Sequence, residues 1–220
     1  MLNELEKIKD SELLNGITVE ELSSMLGCLR GVIKKYQKDE LVLSEGEKIE
    51  KFGLLIEGRL RIVLYDYLGN KTIISEIKPN QIFGEAFAYV DKVSSTNIEA
   101  IEDSKILFLD SEKLSTPCNN GCSFHKQLVK NLLYIISNKN VNLTEKIECM
   151  SQRTTREKLL IFLNMESIKN NSKEFTISFD RQALADYLGV ERSAMSAELS
   201  KLKNEGILEY NKNWFKLLQK

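Results

Sequence analysis

From Cys122 to Ser151 the chain carries neither proline nor glycine, the two residues that most readily interrupt a helix. Within that run Leu128, Leu132, Ile135, Ile136, Leu143, Ile147 and Met150 recur about every 3.5 residues, the period of an apolar helical seam. The spacing predicts a helix over 123–150, about 40 Å long at ~1.5 Å per residue. Such a length exceeds the diameter of a small domain, so the helix must lean on something beyond its own domain. A second copy of itself is the simplest support, and Leu128, Leu132, Ile135, Ile136, Leu143 and Ile147 are the expected dimer interface.

The texture differs on either side of this run. Residues 1–28 read as helical, with Leu22, Met25 and Leu26 at helical spacing and Thr18 and Glu21 placed as a capping box. From about residue 30, short apolar or alternating runs follow one another, among them Leu54 to Ile56, Leu60 to Tyr65 and Ile106 to Leu109. Gly46, Gly53, Gly58, Gly69 and Pro79 interrupt them, the pattern of an all-β barrel or roll. Asp66 to Asn70 suits a hairpin turn in which Gly69 takes a positive φ. Ser115 to Gly121 is a polar loop before the long helix. After it, Thr154 and Glu157 form a second capping box ahead of Leu159, Leu160, Phe162 and Leu163, and Phe175 to Phe179 alternates as a strand does. Three parts are expected: 1–122, the helix 123–150, and 151–220.

Charge separates along the same line. The net charge of −1 excludes a protein coated in positive charge for nucleic acid. Residues 149–220, however, hold 12 Lys and Arg against 9 Asp and Glu, and residues 1–148 hold 19 against 23. A mildly basic C-terminal third thus follows an acidic body. With 42% hydrophobic and 29% charged residues the chain is not disordered. Its apolar runs are far below the ~20 residues of a membrane span, and residues 1–15 do not resemble a signal peptide. A cytoplasmic protein with reduced thiols and no membrane partner is expected. One histidine and no paired acidic motif leave little for catalysis, and no enzyme is expected.

Residues 180–218 carry the most informative pattern. Asp180 is placed to cap a helix over 181–188 whose apolar face is Ala183, Leu184, Tyr187 and Leu188. Gly189 sits where a tight turn needs positive φ. A second helix over about 192–204 turns Met195, Leu199 and Leu202 to one side, and Gly206 ends it. Ile207 to Tyr210 and Trp214 to Leu218 alternate around Asn211-Lys212-Asn213 as a two-stranded hairpin. Helix, turn, helix and hairpin make a winged helix-turn-helix, whose second helix enters the DNA major groove. The expected DNA-binding residues are Arg181, Gln182, Arg192, Ser193, Ser196, Ser200, Lys201 and Lys212. The short serines permit close approach, Arg192 has the reach for a guanine edge or a phosphate, and the lysines suit phosphates.

Four stretches together resemble the cyclic-AMP receptor protein/fumarate-nitrate reduction regulator (Crp/Fnr) family. Phe52 to Leu60 is similar to the first hairpin of that family's sensor β-roll, and Ile82-Phe83-Gly84-Glu85-Ala86 to the start of its phosphate-binding cassette. Residues 123–150 resemble its dimerisation helix and 180–218 its winged domain. The resemblance implies an α+β fold: a cyclic-nucleotide-binding-like β-roll (a jelly roll), a dimerisation helix and a winged helix-turn-helix. It implies a homodimeric transcription regulator that reads a pseudo-palindromic operator in double-stranded DNA, has RNA polymerase among its partners, and answers to an unidentified small-molecule or redox effector. The implied effector pocket is Gly84, Glu85, Ala86, Ser94, Ser95 and Thr96. The family's cyclic-nucleotide binders pair the phosphate with an Arg about ten residues after the Gly-Glu pair, where this chain has Val93 or Ser94. An effector other than cyclic AMP is therefore expected, and no cofactor is identified. In the recognition helix the family commonly has Arg where this chain has Ala197.

One motif stands outside this scheme. Cys118, Cys122 and His125 place two thiols and the single histidine within eight residues at the head of the long helix. They read as a metal or redox site, as part of a ligand-pocket lining, or as free thiols in a helix-capping loop. A ligand-binding or redox- or metal-sensing module acting through protein contacts is the alternative function.

Overall fold

Local hydrogen bonding sets the ends of the helices where the sequence places them. In the computed structural model, which describes residues 2–69, 71–90, 92–115 and 123–218, Thr18 N donates to Glu21 Oε2 at 3.0 Å and Glu21 N to Thr18 Oγ1 at 3.2 Å. Thr154 and Glu157 make the same reciprocal pair. Caps of this kind are each worth ~1 kcal/mol. The chain packs as two compact units, Met1–Ile136 and Ser137–Lys220.

The first unit opens with α1 (Leu2–Ile8), a short 3-10 turn (Glu12–Leu14) and α2 (Val19–Cys28). The helical stretch expected over 1–28 is therefore broken. Ser11 Oγ accepts from Leu13 N and donates to the Asn80 carbonyl, drawing the chain out of helix. The strands β1 (Val32–Tyr36), β2 (Leu41–Leu43), β3 (Lys51–Glu57), β4 (Leu60–Tyr65), β5 (Lys71–Ile77), β6 (Ile82–Phe83), β7 (Asn97–Ala100) and β8 (Ser104–Asp110) follow. The helix α3 (Glu85–Val90) lies between β6 and β7, and α4 (Ser111–Ser115) follows β8. The strands form two four-stranded antiparallel sheets, β1-β8-β3-β6 and β2-β7-β4-β5. Phe52, Leu54, Leu55, Phe83, Leu107 and Leu109 are among the side chains that fill the core of this unit. This is the expected β-roll.

The long helix exists as α5 (Ser123–Met150), 28 residues. Its N-terminal half is built into the first unit: Phe124, Leu128, Leu132 and Ile135 belong to that unit's hydrophobic core. Asn131, buried beside them, donates to the carbonyls of Leu13 at 2.9 Å and Asn15 at 2.7 Å. Leu128, Leu132 and Ile135, expected at a dimer interface, are instead buried in the chain's own β-roll core. The apolar side chains that α5 leaves exposed are Val129, Leu133, Tyr134, Ile136, Val141, Leu143, Ile147 and Met150. The helix carries two apolar stripes, and a repeat of about 3.5 residues does not distinguish them.

The second unit continues from α5 through α6 (Thr155–Lys169), β9 (Glu174–Thr176), α7 (Arg181–Leu188), α8 (Arg192–Asn204), β10 (Leu208–Asn211) and β11 (Trp214–Leu217). The strand expected over 175–179 is shorter and lies earlier. It pairs with β11, Phe175 opposite Phe215, so the wing is a three-stranded sheet β10-β11-β9. Leu159, Phe162, Leu163, Leu184, Met195, Leu199, Leu202 and Phe215 pack together beneath it, each contributing ~1.5–3 kcal/mol through its burial. Cys149 is buried in the same core, and burial, followed by the Glu148 and Glu145 carboxylates, pushes its thiol pKa up. A thiol held protonated in this way is a poor nucleophile.

Candidate nucleic-acid interface

The turn between α7 and α8 is built by groups close in sequence. Asp180 Oδ1 accepts from Ala183 N at 2.8 Å and starts α7. Gly189 ends it with φ of 59° in the left-handed region, a conformation that costs other residues ~1–2 kcal/mol. From α6, Lys158 Nζ donates to the Leu188 carbonyl at 3.1 Å and covers the negative end of α7. Met195, Leu199 and Leu202 are fully buried, and they fix the roll of α8 about its axis. Arg192, Ser193, Ala194, Ala197, Ser200 and Lys201 are consequently exposed.

A clamp invisible to local reading ties α8 to α6. Arg156 of α6 donates through Nη1 to Glu198 Oε1 at 3.1 Å and to Glu205 Oε1 at 3.0 Å, and through Nη2 to Glu205 Oε2. Hydrogen bonding to Glu205 is the main cause that raises the Arg156 pKa and lowers that of Glu205. These partners lie 42 and 49 residues along the chain, so no sequence periodicity points to them.

The expected DNA-binding residues do not share one environment. Arg192 is exposed at the start of α8. Ser193 Oγ donates to Glu191 Oε2 at 2.8 Å. Ser196 is half-buried and its carbonyl accepts the Ser200 hydroxyl at 3.0 Å, while Ser200 Oγ also lies 3.3 Å from the Tyr210 hydroxyl. Lys201 Nζ lies 3.4 Å from Glu198. Gln182 Nε2 donates to Asp186 Oδ1 at 2.8 Å. Arg181 is turned against the wing, its guanidinium 5.0 Å from the Tyr210 ring centre and 5.1 Å from that of Phe215. Burial there lowers its pKa. Its geometry suits bracing the wing against α7 by cation–π contact.

Lys212 stands exposed at the wing tip with φ of 50°. Gly at this position relieves the left-handed strain, so Lys212→Gly is expected to leave stability unchanged or raise it by at most ~1 kcal/mol. It is also expected to reduce the slope of log affinity against log salt by about 1 on any DNA sequence. Thermal melts and salt titrations of DNA binding check both, and an unchanged slope removes Lys212 from the interface.

In the first unit, Gly84 has φ of 76° and leads into α3, whose first residue Glu85 is buried. Ala86 and Ser95 are exposed and Thr96 half-buried. Ser94 is buried, and its hydroxyl donates to the Thr96 carbonyl at 2.7 Å and accepts from Thr96 N at 3.2 Å. Its backbone is pinned to the loop after β2, through Ser94 N to the Glu47 carbonyl and Gly46 N to the Ser94 carbonyl. Ser94 is thus a turn-forming residue whose hydroxyl is committed to the backbone. Cys118 and Cys122 lie outside the described residues. His125 is half-buried against Phe124, and neither of its ring nitrogens has a hydrogen-bond partner among the described residues. No group of three or more metal-ligating side chains occurs among the described residues, and no helix among them is long and apolar enough to cross a membrane.

An antiparallel β-roll followed by a winged helix-turn-helix with an exposed second helix defines a class: DNA-binding transcription regulators that carry an effector-binding domain. Comparison with known proteins agrees. The cyclic nucleotide-binding domain family matches residues 33–120 and the Crp-like helix-turn-helix domain family residues 157–220, in that order. The structure of CprK complexed with OCPA superposes with a TM-score of 0.68 at 18% identity, over 91% of this chain and 92% of that one. A CooA mutant from Carboxydothermus hydrogenoformans gives 0.65 at 20% identity, over 96% and 94%. Human cGMP-dependent protein kinase 2 is 24% identical over 204 residues, which is 91% of this chain and 26% of the kinase, so the chain spans about a quarter of that relative's length. The two domain matches together cover more than half of the chain, and the protein belongs to the Crp/Fnr family.

Proposed function

We propose that the protein is a homodimeric, cytoplasmic transcription regulator in which an effector held in the β-roll of residues 1–122 biases the helix 123–150 and thereby the spacing of two winged domains, 151–220. The single observation that carries this reading is the exposed face of α8, set by the burial of Met195, Leu199 and Leu202, on a chain that also holds the sensor roll. Two such helices about one DNA turn apart read a pseudo-palindrome, and RNA polymerase is the partner through which transcription responds. Salt-dependent binding to genomic fragments, with a preference that survives excess random DNA, is the expected result; salt-independent or absent binding overturns it.

The helix supports pairing with a second copy. Val129, Leu133, Ile136, Asn140, Leu143, Ile147 and Met150 follow one another at alternating steps of four and three residues, and all are exposed. That order places Leu133, Asn140 and Ile147 at the first apolar position of successive heptads and Val129, Ile136, Leu143 and Met150 at the second. One asparagine at the first position is the device that selects an in-register, two-stranded pairing.

The effector is not cyclic AMP in this reading. Ser94 stands in the segment where the family's binders carry the phosphate-pairing arginine, and its hydroxyl is already used by Thr96. A buried phosphate without a cationic partner is costly. Calorimetric titration with cyclic AMP or cyclic GMP is expected to show no saturable binding up to about 1 mM, which corresponds to ~4 kcal/mol of binding free energy. Saturable binding below that concentration overturns this part of the reading.

A further inference from the structure

The question left by the recognition helix is what its exposed face is able to read. In the major groove guanine is read by Arg or Lys, adenine by Asn or Gln, cytosine by a carboxylate, and thymine by apolar contact with its methyl group. On α8 several polar groups already have partners within the chain. Ser193 donates to Glu191, Ser200 to the Ser196 carbonyl, and Glu198 accepts from Arg156 and lies beside Lys201. Asn204 is the last residue of α8, three turns from the N-terminal residues that reach base edges in this motif. What remains at the N-terminal end of the exposed face is one guanidinium, Arg192, two methyl groups, Ala194 and Ala197, and the short hydroxyl of the half-buried Ser196.

We infer that Arg192 specifies a single G·C pair in each operator half-site and that Ala194 and Ala197 read thymine methyl groups beside it, so that the half-site is otherwise A·T. The inference rests on the DNA-reading function proposed above and adds the class of sequence it reads. The geometry gives the reason. Short side chains let α8 approach the groove floor closely, where an alanine methyl meets a thymine methyl. Apart from the Ser196 hydroxyl, the N-terminal end of that face offers no second guanidinium or ammonium for another guanine edge.

Selection of bound duplexes from a random pool by the full-length protein tests this. The expected result is a pseudo-palindrome with one invariant G·C pair per half-site inside an A·T tract. Arg192→Ala is expected to weaken binding to that operator by about 10- to 100-fold and to leave the A·T preference in a repeated selection. Replacing the half-site thymines by deoxyuridine, which removes only the methyl groups, is expected to weaken binding several-fold with the protein unaltered. Half-sites with two or more invariant G·C pairs, or indifference to deoxyuridine, overturn the inference while leaving the DNA-reading function intact. A selection that enriches no sequence overturns that function itself. Circular dichroism of the Arg192→Ala protein separates lost contact from lost fold.

Discussion

Replacing Leu133 and Ile147 together by lysine is expected to yield a monomer that keeps both folded units and binds operator DNA at least about 100-fold more weakly, the scale of lost bivalence. Both side chains are two-thirds exposed, 65% and 67%, so within one chain they touch little. Substitutions at such positions stay within about 0.5 kcal/mol of the parent. In the proposed pair of helices the same residues face the partner at the first heptad position, and lysine there must be buried next to its own copy. The contrast with Leu128 and Leu132 is the control. Those residues lie in the sensor's own core, and Leu128→Ala is expected to cost ~2–5 kcal/mol of folding stability. Sedimentation equilibrium, thermal melts and DNA anisotropy read the three quantities. Asn140→Ile adds a further arm: the assembly is expected to become more heat-stable and to admit species larger than a dimer. A dimer that survives both lysines overturns the assignment of the face.

Gly58→Ala is expected to destabilise the sensor unit by ~3–5 kcal/mol, whereas Gly69→Ala is expected to cost only ~1–2 kcal/mol. Both glycines sit in the left-handed region, with φ of 90° and 81°, so both substitutions carry the same backbone strain. They differ in what the new methyl group meets. At Gly58 a Cβ would lie 2.3 Å from Ser104 Oγ and 2.4 Å from the Asp103 carbonyl oxygen, while at Gly69 it would meet nothing within 4 Å. A backbone oxygen at the head of β8 cannot swing aside as a side chain does. It moves only with the strand that pairs with both β1 and β3. Thermal unfolding of the two variants isolates the steric cost from the strain they share, and equal melting temperatures would show that the β3–β4 turn has room the close approach denies.

Much of the fold was legible because its signals are local. The boxes Thr18/Glu21 and Thr154/Glu157, the Asp180 cap and the positive φ at Gly69 and Gly189 each depend on residues within four positions of one another. Sequence spacing is then nearly equivalent to distance in space. The site was legible as a set of positions on α8 and less so as chemistry. That Ser193, Ser200, Gln182 and Lys201 meet partners on the unit's own surface follows from rotamers and neighbours that spacing does not report. Arg181 is the sharpest case. Its place at the start of α7 reads as a DNA-binding position, but the wing that brings Tyr210 and Phe215 under its guanidinium returns from about thirty residues further on.

The order of parts, the helix-turn-helix, the length of α5 and the missing arginine near Ser94 were determined by the sequence alone, because each is a matter of residue type at short spacing. Which apolar stripe of α5 is covered was decided by the tertiary structure. Leu128, Leu132 and Ile135 alternate with Val129, Leu133 and Ile136 on one helix, and both sets satisfy an apolar repeat of about 3.5 residues. The β-roll and the carbonyls of Leu13 and Asn15, more than a hundred residues away in sequence, cover the first set and hold Asn131 beside it. The second set is left exposed because burial is a property of what packs against a face, and a helical period describes only the face itself.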